Sequence, residues 1–396
     1  MQPETIERCD IAIIGGGLVG ASLALALQQG AVQRGWRIVM IEPVAPQSAY
    51  QPSFDARSSA ISYGSRLLYE RLGLWQQIAE RAEPMTHIEV SEQGSFGVTH
   101  LDAAAEGVPA LGYVVENAWL GHCLIGALEA GHIERRCPAV VSSMQPLADG
   151  YLLSFDDGSQ LHTSLAALAD GGRSGLAKSL GIEHRREPYG QAALIANLET
   201  ATPHQGRAFE RFTANGPMAF LPMSGNRGAI VWTRSLERAE ELLQAPAEVF
   251  LAALQEEFGY ALGLFGKLGK RYMYPLAKVL ASEQVRPHLV LLGNSAHSLH
   301  PVAGQGFNLS LRDLMALADA LLASPSAPGD VAVLQDYTAS REQDQWRVVN
   351  FSHAMPLLFG KRQAWWRLGR NLGLLALDMM PPAKHWFARQ SMGLIE

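Results

Sequence analysis

The sequence predicts an α/β chain: a Rossmann-like dinucleotide-binding domain interrupted by a mostly antiparallel sheet and closed by a helical C-terminal region. Three observations carry this. Near the start, an apolar run enters Gly15-Gly16-Gly17-Leu18-Val19-Gly20 and then a helical pattern. A second strand–glycine–helix passage lies far down the chain, at residues 290–313. Between them, β-rich segments recur between Gly, Pro and Asn, the mark of an antiparallel sheet.

The chain has 396 residues, 48% of them hydrophobic, and a formal net charge of −6. Length alone implies two to three domains at about 150 residues each. The expected division is 1–82, 100–181 and 280–330 for the dinucleotide domain, 83–99 and 182–279 for the sheet domain, and 331–396 for the helical region. The acidic balance, with no long run of Lys or Arg, excludes a nucleic-acid surface. Cys9, Cys123 and Cys137 have no CxxC spacing and read as small buried hydrophobes in a reducing compartment. No histidine or cysteine spacing matches a metal site, so no metal is expected. The first apolar run is broken by glycines and lacks a basic lead, so neither a signal peptide nor a membrane span of ~18 apolar residues is expected.

Residues 9–14 form the first expected strand and 21–29 the helix that follows. Gly15, Gly17 and Gly20 satisfy G-x-G-x-x-G directly between them. Gly15 permits the tight turn, Gly17 admits a pyrophosphate, and Gly20 lets helix and strand pack closely. A second strand, 37–41, ends at Glu42, about 20 residues on, where an acid that binds a ribose diol belongs. The fingerprint alone leaves NAD and FAD both open. Arg57, in Phe54-Asp55-Ala56-Arg57, stands near the entry of an expected helix reaching Leu72. It is either a bidentate partner for a pyrophosphate or a surface cation paired to Asp55.

Residues 113–117 lead into a helix to Ala130, and 140–161 alternate as a hairpin around Asp156-Asp157-Gly158. The strand 165–169 ends at Asp170-Gly171, either a plain turn or a loop whose acid meets a ribityl or ribose hydroxyl. Strands are expected at 191–198, 208–213, 218–222 and 228–233, with one helix at 246–262. Met218, Phe220, Leu221, Pro222, Met223 and Trp232 are either sheet core or the lining of an apolar pocket between domains.

The passage at 290–313 begins as a strand, turns at Gly293, crosses His300-Pro301 and enters a helix through Gly304-Gln305-Gly306. Phe307, Leu311, Leu314, Ala318 and Leu321 give that helix one buried face. Its first-turn N–H groups and roughly half a positive charge suit an electron-rich ligand. His297 and His300 lie beside this loop, either acting directly or satisfying backbone groups. Beyond it, a helix is expected at 331–351. The tail 365–393 mixes Trp, Leu, Met and Arg, which suits either helices packed on the core or a surface that faces a greasy substrate or the membrane interface.

With Gly15/Gly17/Gly20, Asp170-Gly171 and the Gly293 passage in order, the chain resembles the FAD-dependent aromatic hydroxylases over nearly its whole length. Within them it is most similar to the ubiquinone-biosynthesis branch. The cues are Phe54-Asp55-x-Arg57, Leu111 to Asn117, Glu210-Arg211-Phe212-Thr213, Gly216-Pro217-Met218-Ala219 and His300 to Asn308. Two departures from the wider family, Gly293-Asn294 in place of Gly-Asp and Ala177 in place of an Arg, resemble the 2-polyprenyl-6-methoxyphenol hydroxylase branch.

The resemblance implies bound FAD, NAD(P)H and O2 as co-substrates, and oxygen transfer through a C4a-hydroperoxyflavin to the ring of a polyprenyl phenol. It implies that Glu42 and Arg57 hold ribose and pyrophosphate, that Asn294 stands at the ribityl chain, and that the N–H groups of Gly306, Phe307 and Asn308, beyond Gly304, face the reduced flavin. Pro301 then lines the oxygen-transfer face. A cytoplasmic protein with peripheral contact at the inner membrane follows, with other ubiquinone-biosynthesis proteins or further copies of this chain as partners.

Overall fold

The computed structural model describes residues 6–45, 57–360 and 363–394. Its first sheet places the three glycine-bearing motifs side by side. Strand Glu7–Ile14 pairs in parallel with Gln160–Leu168 on one side and Ile38–Ile41 on the other, and Leu289–Leu291 pairs in parallel with Gln160–Leu168. The loops at Gly15, Asp170 and Gly293 therefore leave the same edge of adjacent parallel strands, where a doubly wound sheet binds its ligand. Strand Glu7–Ile14 is buried on both faces. Ile11 and Ile13 pack with helices, and Ala12 and Ile14 with Tyr151, Leu153 and Phe155 of the antiparallel hairpin.

A second sheet runs in the order His297–Ser298, Tyr272–Ala281, His184–Thr200, Arg227–Ser235, Gly216–Met223, Arg207–Thr213, His87–Glu92 and Val98–Asp102. All its pairings are antiparallel except Arg207–Thr213 with His87–Glu92. Its first member, His297–Ser298, comes from the Gly293 passage, so the ligand-facing loop is stitched to this sheet. A small third sheet joins Ser58–Ser62, Gly112–Glu116 and Ala82–Met85.

Several expected elements differ. The helix expected at 246–262 is Ala247–Phe258, and an unexpected helix, Leu236–Gln244, precedes it; the two are separated at Ala245-Pro246, where proline lacks the amide that would continue the first. Phe54 and Asp55 lie outside the described residues. After Arg57 comes strand Ser58–Ser62, not a helix, and Ser62 then caps helix Tyr63–Arg71 by accepting from the Ser65 amide. The helix at 331–351 continues to Phe359. Two further helices, Ala364–Met379 and Pro381–Ser391, follow.

Candidate functional site: a dinucleotide cleft opening into an apolar chamber

One cavity of about 1340 Å³ runs from Gly15, Gly17 and Glu42, past Asp170 and Asn294, to the start of helix Gln305–Ala323 and on beneath helix Ala364–Met379. At its first end Gly15 has φ +108, and a Cβ there would stand 2.5 Å from the Ala169 carbonyl oxygen. Gly17 begins helix Leu18–Arg34 with no side-chain cap, leaving the first-turn amides open to a phosphate. Glu42 is buried and accepts from the amides of Gly16 (2.7 Å) and Val44 (3.1 Å). It therefore holds the glycine loop, and each oxygen retains a second lone pair for a ribose hydroxyl.

In the middle, Arg57 lines the cavity with its guanidinium 4.8 Å from the Tyr274 ring centre. Asp170 also lines it, but its carboxylate is engaged by the protein. Oδ1 accepts from Ser295 Oγ (2.5 Å) and the Gly172 amide (3.0 Å); Oδ2 accepts from the Ser174 amide (2.9 Å) and hydroxyl. Burial raises its pKa, and the Ser174 and Ser295 hydrogen bonds overcome this to leave it below the ordinary range. Both alternatives for Asp170-Gly171 therefore have support: the acid lies at the cavity, and it also organises a turn. Asp170 ties the loop after strand Gln160–Leu168 to the Gly293 turn, and Gly171 takes φ +70 within it. Asn294 is exposed into the cavity. Its Asp variant adds charge where the protein makes no use of it, so Asn294→Asp is expected to keep FAD at wild-type stoichiometry, read from flavin absorbance per mole of protein. A colourless variant contradicts this.

At the third motif, Ala303 (φ 54) and Gly304 (φ +61) turn the chain into helix Gln305–Ala323. Pro301, Gly304, Gly306, Phe307 and Asn308 all line the cavity. The Asn308 side chain, however, is spent on structure. Its Nδ2 donates to the carbonyls of Ala60 and Gly304 (both 2.8 Å), and its Oδ1 accepts from the Ser62 amide (2.9 Å). It aims the helix N-terminus at the cavity, and only backbone amides remain to serve a ligand.

The two histidines separate. His297 is corrected: it does not line the cavity, and its Nε2 bonds to Asp313 Oδ2 at 2.9 Å in a buried ion network. His300 does line the cavity. It is 1% exposed, lies edge-on to Tyr189 (5.2 Å), and neither ring nitrogen has a hydrogen-bond partner among the described residues. Burial lowers its pKa to about 4, so the ring is neutral at physiological pH.

The chamber beyond is walled by the second sheet, and here strand parity corrects the expected lining. Met218, Phe220 and Trp232 face away, in a core with Phe250 and Phe258. The Trp232 indole donates to Glu257 (2.6 Å) on that far side. Pro222 and Met223 do not line the cavity, and Met223 packs on Met85 and Val114. Leu221 does line it, with Ala219 and Val231. Successive side chains alternate between faces, so Met218, Phe220 and Trp232 fill the far face, while Met223 shares the parity of Leu221 but packs at the strand end. Smaller residues on the inner face leave the space.

The tail and one residue that went unassigned in the sequence, Glu210, complete the site. Helix Ala364–Met379 closes the chamber with Trp366, Gly369, Gly373, Leu374 and Leu377 at helical spacing. Glu210 projects from strand Arg207–Thr213 into the chamber.

The glycine cradle, the open first-turn amides and the length of the cleft fit an extended dinucleotide, and comparison with known proteins supports FAD as that dinucleotide. Residues 8–352 match the family described as FAD binding domain. Ubiquinone hydroxylase UbiL of Rhodospirillum rubrum is 36% identical over 98% of this chain and 90% of its own length. The 3-demethoxyubiquinol 3-hydroxylase of Escherichia coli K12 is 32% identical over 98% of this chain and 100% of its own. The fold is shared with p-nitrophenol 4-monooxygenase PnpA of Pseudomonas putida DLL-E4, at TM-score 0.80 and 17% identity over 98% of this chain and 99% of that one. The chain belongs to the FAD-binding aromatic hydroxylases, in their ubiquinone-biosynthesis branch.

Proposed function

We propose that this chain is an FAD-dependent monooxygenase that uses NAD(P)H and O2 to hydroxylate the ring of a polyprenyl methoxyphenol. The observation that carries this is the continuity of one cavity from the dinucleotide cradle to an apolar chamber walled by sheet and helix. Bound FAD, reduced by NAD(P)H, supplies activated oxygen. The protein's part is placement. Gly15, Gly17 and Glu42 hold the adenosine end. The helix N-terminus at Gly306–Asn308 presents amides and a positive dipole to developing negative charge. Pro301 and neutral His300 border the junction with the chamber, whose Ile88, Leu221 and Val231 exclude water and seat an apolar tail.

The choice of the methoxyphenol rests on Gly293-Asn294 and Ala177. The 32% identity to a 3-demethoxyubiquinol 3-hydroxylase favours a second reading, hydroxylation at a later ring carbon of the same precursor series. Incubating the purified flavoprotein with each precursor and NAD(P)H, followed by mass spectrometry, separates them: the true substrate gains one oxygen and the other stays unchanged. No product from either sinks both readings.

A membrane surface is the partner we infer for helix Ala364–Met379. Opposite its chamber-facing side, Trp365 (65% exposed), Leu368 (54%), Leu372 (51%) and Met379 (72%) form an outward apolar stripe, joined by Trp386 from the next helix. On the described residues of these two helices Arg367, Lys384 and Arg389 reach the surface against Asp378 alone, a basic bias on an acidic chain. No helix among the described residues is long and apolar enough to cross a bilayer. The inferred contact is therefore peripheral. The double variant Leu368→Glu/Leu372→Glu is expected to lose at least tenfold in co-flotation with anionic phospholipid vesicles while turning over a short-tailed phenol normally. Unchanged flotation contradicts the assignment.

A further inference from the structure

Among the described residues, the second sheet presents a mostly apolar face to the chamber, with Thr99, Tyr274 and Ser298 as uncharged polar members and one carboxylate. Strand registers align Val90, Glu210, Ala219 and Val231 in a row across four strands, and all four line the cavity. Glu210 is the one Asp, Glu, Lys, Arg or His that this row, or the rest of the strand Arg207–Thr213, contributes to the cavity among the described residues. The backbone of Ala303, a non-glycine residue at φ 54 in the loop that leads into helix Gln305–Ala323, favours its ionised form. A left-handed alanine is a strained conformation that its surroundings must hold in place. Here it lies in the loop, also lining the cavity, that faces the sheet carrying Glu210. Glu210 thus stands at the seam of the two halves of the cavity, half-buried, with its remaining surface opening into the chamber.

We propose that the Glu210 carboxylate is the group that accepts the phenolic proton of the substrate. The proposal rests on the phenol reading given above. In the step, the substrate O–H bond breaks and a carboxyl O–H bond forms on Glu210. The electron pair left on the phenolic oxygen is shared into the ring, where it activates the ortho and para carbons. After oxygen from O2 is added at one of them, that carbon loses its hydrogen as a proton to the oxygen left behind by the transfer. Glu210 returns its proton to the ring oxygen, and the carboxylate is regenerated.

The surroundings favour this exchange. Desolvation raises the pKa of Glu210 to about 8, against the opposing effect of the Ala303 hydrogen bond, which moves the acid much closer to a phenol. Its cross-strand neighbours Val90 and Ala219 are uncharged, and helix Val331–Phe359 contributes only Phe351, Met355, Leu358 and Phe359 to the same cavity among the described residues. Of the other ionisable groups nearby, His300 is neutral, and Arg370 is committed to Glu92 and the Leu358 carbonyl.

The test uses flavin-loaded wild type and Glu210→Gln with 2-allyl-6-methoxyphenol as probe. In wild type, kcat/KM is expected to rise with pH through about 8 and then level, because the base acts when ionised. Glu210→Gln is expected to lose that limb and about 10²–10⁴-fold in rate. A second readout needs no turnover. Binding of the probe to the oxidised enzyme at pH 9 red-shifts its phenol absorption in wild type but not in Glu210→Gln, with dissociation constants within a few fold. Folding is checked by melting. The acid's stabilisation is complete below about pH 4.5 and lost as pH climbs through about 8. The gap between Glu210→Gln and wild type therefore shifts in favour of the variant across that range. An equal rate and pH profile in the variant, or a retained red shift, overturns the proposal alone. A wild type that neither binds nor hydroxylates the probe overturns the phenol reading and this proposal with it.

Discussion

Gly20→Val is expected to yield a protein that purifies without flavin. A Cβ at Gly20 would stand 1.9 Å from the Gly15 carbonyl oxygen and 3.2 Å from Ile13 Cγ2, and the first of these is backbone that cannot rotate away. Helix Leu18–Arg34 must then lift from strand Glu7–Ile14, whose Ile11 and Ile13 are fully buried beneath it. Overpacking of this kind costs about 1–3 kcal/mol in stability. The displaced Gly15 turn adds a loss of at least about 100-fold in FAD affinity, near 2.7 kcal/mol. Gly30→Ala is the control. Its Cβ meets only the Leu322 side chain, which can shift, so this variant is expected to stay yellow. Flavin absorbance per mole of protein and a melting curve read both effects.

Asp313→Ala is expected to cost about 3–5 kcal/mol of folding stability, as removal of one partner from a buried ion network does. Asp313 is 1% exposed and accepts from Arg341 Nε (2.8 Å), His297 Nε2 (2.9 Å) and Gln345 Nε2 (3.0 Å). Arg341 and Arg312 also pair with Asp344, so the network joins helix Gln305–Ala323 to helix Val331–Phe359. Alanine at 313 leaves a buried guanidinium short of its counter-charge and His297 without its acceptor. Asp313→Asn, which retains an acceptor oxygen, is expected to lose less. Urea unfolding of the three proteins ranks them, and an Asp313→Ala midpoint equal to wild type refutes the ranking.

What the sequence made legible was what geometry leaves no freedom to vary. The glycines at 15, 17 and 20 and the acid at 42 stand at fixed offsets, because one turn, one close helix–strand approach and one loop-holding carboxylate require them there. The alignment of three distant motifs on one sheet edge followed once each was seen to close a parallel strand. The chamber was less legible. In Gly216–Met223 both faces are apolar, because one packs on helices and the other lines a cavity, so period-two alternation carries no signal. Size then misleads, since the large Met218 and Phe220 fill the core while the small Ala219 leaves room. Glu210 enters the sequence reading only within Glu210-Arg211-Phe212-Thr213, as a cue of the resemblance with no role attached. Only the register against Val90 and Ala219 reveals an acid on an apolar wall. Asp170 does line the cavity, but its carboxylate is taken up by Ser174, four residues on, and by Ser295 from the neighbouring loop; His297 turns away to Asp313, a pairing sequence proximity does not reveal.

The central claim is that oxygen activated at the dinucleotide end of the cleft is delivered to a ring held in the apolar chamber. The most direct test is a reaction of the flavin-loaded protein with 2-polyprenyl-6-methoxyphenol and NAD(P)H under 18O2 in unlabelled water. The account predicts a product heavier by one 18O atom, on the ring. A product carrying oxygen from water, or flavin reoxidation with the phenol recovered unchanged, contradicts it.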